Sequence, residues 1–423
     1  MKKLIVIFLC VLLVFAFSLI SATSADTIRI TTYNILNFPE SMGEERIEHF
    51  RVVMNEIQPD IVVCQEITKW AGARQFLGSV MNWDTVLFRM ADFNLNLQQD
   101  LYNSLFYRTS RIICDSVKFL LTGISTQGER DIAEYYLKTV PDSAQFRVLS
   151  VHLKALRDCT AVRLRQATIL RNHLDSCEVG TNFLVVGDFN IYYSNELAFQ
   201  KLTADLENNN GRLWDPLDAP GYWHNNQAFA SIHTQSTRLE KLLDGGAGGG
   251  LDDRFDMILC SATFLDTVGI TLLTDTYTAF GNDGNHFNKS INFGTNSAVS
   301  ADVANALYYA SDHLPVYVDI EVEKVGIELV NNQRFSLYNY PNPFTSETTI
   351  EYTLTRENKV VLEIYDIMGQ KVRTLANTII PEGLHRVTWD GKNDDAQSVL
   401  SGIYFCHIVV GNSSQTKKIV LLH

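Results

Sequence analysis

Short apolar runs that end in a carboxylate, a carboxamide or a histidine recur along this chain, and they constrain its fold more than any other feature. Residues 27–33 alternate and are β-branched, which predicts a strand, and Asn34 closes it. Residues 61–64 form a second apolar run, closed by Gln65 and Glu66. His152 follows the run at 148–151, and Asp188 and Asn190 follow the run at 183–186. Asp256 stands inside the run at 255–259, and Asp312 and His313 precede the run at 315–320. One aspartate at a strand end is usually a turn residue or a helix cap. Six strand ends of the same character are harder to explain that way. The ends of packed strands converge on one rim, where a cation and an anion can be held together.

Between these runs lie helical stripes. Ile47, Phe50, Met54 and Ile57 predict a helix that stops before Pro59. Leu164, Ala167, Leu170 and Leu174 form one face of another, with Arg163, Arg165 and Arg171 on its other side. Strands and helices alternate irregularly, which predicts a mixed α/β domain over residues 26–322. Two long loops are expected, a flexible one at 245–250, nearly all glycine, and a surface one at 282–296, rich in Asn and Gly. Residues 323–334 read as a linker. From residue 335 to 423 the stripes vanish. Short β-rich runs at 348–354, 360–365, 383–389, 402–410 and 417–422 alternate with turn signals such as Asp390-Gly391. That pattern predicts a small all-β, Ig-like sandwich.

Residues 1–25 read as an export signal. Lys2 and Lys3 start it, residues 4–20 are almost unbroken apolar, and the small residues at 21–25 place cleavage after Ala25. An uncleaved anchor is the alternative. Cys10 lacks the small-residue context of a lipoprotein, and no later stretch is long and apolar enough to span a bilayer. The seven cysteines are scattered with no CxxC pair, which argues against a structural zinc site. Cys159 and Cys177 bracket a predicted helix whose ends lie too far apart for a bridge. The net charge of −13 gives the chain no overall attraction for polyanions. Any polyanion must therefore be gripped by local cations or a bound metal.

The polar strand ends supply the parts of phosphoryl transfer. Carboxylates hold Mg²⁺ or Mn²⁺ through hard oxygens, and the ion offsets phosphate charge. A carboxylate or histidine takes a proton from the attacking water. Histidine and carboxamide donors bind phosphate oxygens as charge develops.

In order, spacing and flanking strands, Asn34, Glu66, His152, Asp188 with Asn190, Asp256 and Asp312-His313 resemble the successive motifs of the endonuclease/exonuclease/phosphatase superfamily. The resemblance covers most of residues 26–322. It implies an α/β (α+β) four-layer sandwich with two central mixed β-sheets and the site at one edge. It also implies a metal-dependent phosphoric ester hydrolase using Mg²⁺, Mn²⁺ or Ca²⁺. Glu66 would be the principal metal ligand, with Asn34 close by and Asp312 on the metal side. Asp188 would orient or deprotonate water, and Asn190 would bind phosphate. His313 would contact the scissile phosphate with Asp256 as its partner, and His152 would be a second catalytic histidine. One departure is visible. The deoxyribonuclease branch pairs that second histidine with a glutamate, and the matching stretch 102–107 has no carboxylate. Asn103 would have to substitute by hydrogen bonding, or His152 is mainly a phosphate binder. Lys154 and Tyr107 read as a solvated lysine and a core tyrosine, and His224 and His233 as solvated or substrate-edge residues. Trp214, Tyr222 and Trp223 are either base-stacking aromatics or local core, core being the commoner fate of such rings.

The C-terminal segments at 337–344, 364–369, 401–405 and 417–420 resemble the type A sorting domain of the type IX secretion system. That resemblance implies a Bacteroidetes-type bacterium, passage of both membranes and a secreted or cell-surface protein. A plain Ig-like adhesion module is the alternative. The expected activity is endonucleolytic hydrolysis of DNA or RNA by a monomer with no stable membrane insertion after cleavage. A sphingomyelinase-like or inositol-phosphate activity, or a non-catalytic surface protein on the same scaffold, would use the same fold.

Overall fold

The computed structural model describes residues 26–93, 101–120, 129–141, 143–266, 269–322, 337–354, 356–411 and 413–422. The expected export signal and linker lie outside these residues. The chain forms two compact units, one ending at Lys324 and the other beginning at Val325.

The first unit opens with β1 (Asp26–Phe38), α1 (Gly43–Ile57), β2 (Ile61–Ile67), α2 (Trp70–Phe76), β3 (Phe88–Met90) and β4 (Tyr102–Arg108). It continues with β5 (Ile112–Leu120), β6 (Ile132–Thr139), β7 (Gln145–His152), α3 (Thr160–Asp175), β8 (Phe183–Asp188) and α4 (Leu197–Thr203). It closes with β9 (Asp256–Cys260), β10 (Ile270–Ala279), α5 (Ala301–Ala310) and β11 (Val316–Val322). One sheet has the order β10-β11-β1-β2-β4-β3 and the other β5-β6-β7-β8-β9. Each is mixed, because β1–β2 and β7–β8 are parallel while their other pairings are antiparallel.

Three apolar seams stack these elements into four layers. Between the sheets, Ile28, Ile30, Val63, Leu105 and Val318 of the first meet Tyr135, Val148, Leu184, Val186 and Ile258 of the second. Outside the first sheet, Tyr33, Val62 and Cys64 pack under Phe50 and Met54 of α1, Ala73 of α2 and Leu307 of α5. Outside the second, Leu149, Val185 and Leu259 pack under Ala167 and Leu170 of α3 and Phe199 of α4. Strands β2 and β8 are thus buried almost throughout on both faces, and β8 has no exposed residue at all. This is the four-layer α/β sandwich expected from the sequence.

The helix ends follow local chemistry. Glu44 and Glu45 sit in the first turn of α1, where the helix dipole favours negative charge. The Ser300 side chain accepts from the Val303 amide and caps α5. Cys159 and Cys177 lie at the two ends of α3 and are free thiols. No helix among the described residues is long and apolar enough to cross a membrane.

The glycine run at 245–250 is tightly packed at its end. Gly250 is buried at a φ of +85°, and a Cβ there would lie 2.4 Å from the backbone of Asn288 and Lys289. Glycine serves here for close approach, while Gly245 and Gly249 are exposed with open space around them.

The second unit consists of β12 (Leu337–Tyr340), β13 (Thr348–Leu354), β14 (Asn358–Tyr365), β15 (Lys371–Ile380), β16 (Gly383–Trp389), β17 (Gly402–Val410) and β18 (Ser413–Leu421). The sheets β12-β13-β16 and β15-β14-β17-β18 share one core. Ile350, Tyr352 and Trp389 from one meet Leu362, Ile364, Tyr404 and Ile408 from the other. In β13 buried and half-buried residues alternate strictly, as a strand with one inward face requires. The unit is the small all-β sandwich expected.

Candidate active site

The register of the second sheet places three of the expected residues side by side. His152 pairs with Asp188 across β7 and β8, and Asp188 pairs with Asp256 across β8 and β9. Gly187 makes that register possible. Its φ is +134°, and a Cβ there would stand 2.0 Å from the Val151 carbonyl oxygen.

The first sheet delivers its residues through irregularities. The β1–β2 pairing shifts between Asn34 and Phe38, and the β2–β4 pairing shifts between Cys64 and Ile67. Such bulges re-aim side chains. Glu66 takes a φ of +61°, a strained value for a residue with a Cβ. Its carboxylate turns to the rim, where Oε1 accepts from Asn34 Nδ2 at 3.1 Å and Oε2 from the Asn37 amide at 3.1 Å. The Asn34 nitrogen also donates to Asp188 Oδ2 at 3.2 Å, while its oxygen accepts from the Leu36 amide. Asn34 therefore bridges Glu66 and Asp188 across the two sheets.

Asp312 and His313 arrive on the turn between α5 and β11. The Ser311 hydroxyl donates to the Asn34 carbonyl at 2.7 Å and accepts from the His313 amide at 3.2 Å, tying that turn to β1. His313 Nδ1 lies 2.7 Å from Asp256 Oδ2. His313 Nε2 is 3.9 Å from Asp188 Oδ2. His152 Nε2 is 3.6 Å from the same oxygen and 3.8 Å from Glu66 Oε1. Two imidazoles and two carboxylates thus face one small space. Asn190 is buried close by, with its amide on Asp188 Oδ1 at 2.9 Å and its Nδ2 on the Leu153 carbonyl at 3.2 Å.

Two placements refine the expectations. Ligand atoms of Glu66, His152 and Asp188 lie within 4.8 Å of one another, so His152 joins the two carboxylates around this space. Asp312 is held slightly apart. Its Oδ2 accepts from the Ala247 amide at 2.7 Å and from Gln235 Nε2 at 3.2 Å, and its Oδ1 has no hydrogen-bond partner. Asn103 does not reach His152. It accepts from the Ser150 hydroxyl at 3.0 Å and donates to the Asp131 carbonyl at 2.8 Å. His152 Nδ1 has no hydrogen-bond partner. The missing glutamate is therefore not replaced by Asn103.

Burial and neighbouring charge push these groups in opposite directions. Burial drives the His152 pKa well below its usual value, and the charges of Arg130, His313 and Lys154 add to that. Burial acts on His313 in the same sense, but Asp256, Asp312 and Asp188 overcome it and hold the ring well above its usual value. The two rings are thus pushed in opposite directions, His152 toward its neutral form and His313 toward its charged form. Burial pushes the Asp188 carboxyl up to about 7, with His313 opposing and Asp256 and Glu66 assisting. Burial and then Asp312 raise Glu66 as well. Carboxylates raised in this way lack a sufficient positive partner. Hard oxygens, an imidazole and the orphaned Asp312 Oδ1 form a donor set that fits a divalent cation.

Sequence reasoning missed Gln235. Its carboxamide lies 2.6 Å from His313 Nε2, and its backbone pairs with both Asp253 and His313. The same carboxamide nitrogen donates to Asp312 Oδ2 at 3.2 Å, so Gln235 contacts both residues of the turn. Nothing marks Gln235 in the sequence, since it lies in an irregular polar segment. Arg130, whose charge reaches Glu66 and His152, is equally unmarked. The other aromatic and histidine candidates separate cleanly. Trp223 and His233 are fully buried, and His233 Nε2 contacts the Trp223 carbonyl at 2.8 Å, so His233 is not solvated. Trp214 and Tyr222 remain 37% and 41% exposed.

Two further groups bring three candidate ligand atoms within 4.8 Å, Glu134–His173–Cys177 and His224–Asp252–Asp253. In the first, Arg147 Nη1 already lies 3.0 Å from Glu134 and 3.3 Å from Cys177, so the carboxylate has its cation.

Residues 339–422 match the family described as the secretion system C-terminal sorting domain, in agreement with the resemblance read from the segment. No curated protein matches the chain. Solved structures similar to it include TDP2 from D. rerio complexed with a single-strand DNA product, at 14% identity and a TM-score of 0.48 over 70% of this chain and 99% of that one. The catalytic domain of human Nocturnin with bound sulfate is similar at 16% identity and a TM-score of 0.46, over 70% of this chain and 97% of that one. An endonuclease/exonuclease/phosphatase family protein from Bacteroides thetaiotaomicron is similar at 13% identity and a TM-score of 0.45, over 71% and 99%.

Proposed function

We propose that the chain is an exported phosphodiesterase of the endonuclease/exonuclease/phosphatase type that cleaves nucleic acid with a divalent cation, and that its C-terminal unit addresses it to type IX secretion. The observation that carries this reading is the meeting of Glu66, His152, Asp188 and His313, with His152 and His313 each within 4 Å of one Asp188 oxygen. A water attacks phosphorus, its proton passes to Asp188, and the bond from phosphorus to the leaving oxygen breaks. A carboxyl near pKa 7 is well matched to that task. His313, charged and steadied by Asp256, donates to a phosphate oxygen as negative charge grows. His152 and Asn190 flank the same space as neutral binders. Glu66 and Asp312 would hold Mg²⁺ or Mn²⁺, which supplies charge neutralisation at the phosphodiester.

The acidic chain needs local cations to draw in a polyanion. Arg130 and Lys154 act on His152, and Arg157 acts on Asp253 beside the His313 turn. These cations favour a polyanionic strand over a single small phosphate. Digestion of a substrate panel by the full chain tests the reading. Plasmid DNA and RNA are cleaved with Mg²⁺ or Mn²⁺, chelator abolishes cleavage, and sphingomyelin and phosphoinositides survive. Hydrolysis of a lipid with polynucleotides left intact would transfer the same chemistry to the sphingomyelinase-like alternative.

A further inference from the structure

We infer that Tyr222, lying against Tyr193 and flanked by Arg157, seats an unpaired nucleobase next to the scissile phosphate, so that single-stranded polynucleotide is the preferred substrate. This rests on the nuclease reading above and deepens it. The chain leaves β8 through Asp188 and Asn190 and reaches Tyr192 and Tyr193 at once. At about 3.8 Å between successive Cα atoms, Tyr193 lies within roughly 11 Å of Asn190, the reach of a neighbouring nucleotide.

A second segment is clamped alongside. The amides of Trp223 and His224 donate to the Tyr192 carbonyl at 3.0 and 3.2 Å, and the Ser194 amide donates to Gly221 at 2.8 Å. The Tyr193 and Tyr222 rings lie 5.5 Å apart with 8° between their planes. The Arg157 guanidinium lies 5.9 Å from the centroids of both Tyr192 and Tyr222, and it donates to the Tyr222 hydroxyl. His224 packs edge-on against Tyr192 at 5.4 Å and is anchored by Asp253 at 2.8 Å. The platform is thus fixed from several sides.

Yet Tyr222 as a residue stays 41% exposed, while the adjacent Trp223 is fully buried. A ring held this firmly and left open offers a π-face, and the arginine beside it supplies a cation for the strand's backbone. A paired base hides both faces in the duplex stack, and extracting it costs energy. An unpaired base presents its face freely.

The test compares kcat/KM with Mg²⁺ for a single-stranded oligonucleotide, its duplex, and an equal-length strand of base-free tetrahydrofuran residues. Tyr222→Ala is expected to reduce the preference for the base-bearing strand over the base-free strand about ten-fold. The preference for single strand over duplex falls with it, and Tyr222→Phe retains most of both. A thermal melt shows that the variants fold. Equal losses on the base-bearing and base-free strands, or no loss on either, would overturn the inference and leave the nuclease reading standing. Failure of the wild-type chain to cut any strand would remove both.

Discussion

Asp188→Asn is expected to lower kcat/KM on a phosphodiester by about 10³-fold or more, because the proton acceptor and a source of negative charge in the site vanish together. The substitution preserves shape. The Asn190 amide can still donate to an oxygen at position 188, as it now does to Asp188 Oδ1 at 2.9 Å. The fold should therefore survive, and stability should rise. Burial lifts the Asp188 carboxyl from 3.8 to about 7, so its charged form opposes folding. Between those two values the folded chain binds more protons than the unfolded one, and stability falls as pH rises. Asp188→Asn removes that slope. In chelator, its gain in melting temperature should be larger at pH 8 than at pH 5. Circular-dichroism melts at the two pH values, beside initial rates, check both halves. A variant that loses activity and stability together would make Asp188 a structural residue.

His313→Ala is expected to cost about 10²–10³-fold, the range for losing one charged donor to a developing oxyanion. Asp256→Asn should cost less and carry a pH signature. His313 is held charged above its usual 6.5, with burial opposing and Asp256 the foremost raising influence. Activity that needs the charged ring is complete below the raised value and is lost as pH climbs through it. Removing the Asp256 charge lowers that value, so the alkaline limb of the rate profile moves to lower pH. A uniform loss at every pH with an unmoved limb would separate Asp256 from His313 in function.

Much of this site was legible because it lies at strand ends. Strands β2, β8 and β9 are buried on both faces and read as plain apolar runs whose polar end residues stand out, whereas the inner strand β6, which carries Glu134 and Lys138, shows no such run. Glu66, His152, Asp188, Asp256 and His313 were all visible in that way, and the strand register brings His152, Asp188 and Asp256 together. What escaped lies in irregular backbone. Gln235 and the Ala247 amide both touch Asp312, yet one comes from a polar segment and the other from the glycine run. Their roles depend on long-range packing that leaves no local pattern. Edge strands escaped as well. In β5 only Ile112 is buried, and its pairing slips between Cys114 and Ser116, so no alternation survives. In β15 no residue is fully buried. The helices α2 and α4 span 7 residues each, too few to display a 3.6-residue stripe.

In the proposed function, Glu66 and its neighbours gather one divalent cation beside the groups that act on phosphorus. Calorimetric titration of the full chain with Mn²⁺ tests it most directly, comparing wild type with Glu66→Gln at matched melting temperature. The tightest site is expected to weaken at least about ten-fold in the variant. Equal affinity in the two proteins, or no binding by the wild type, would contradict it.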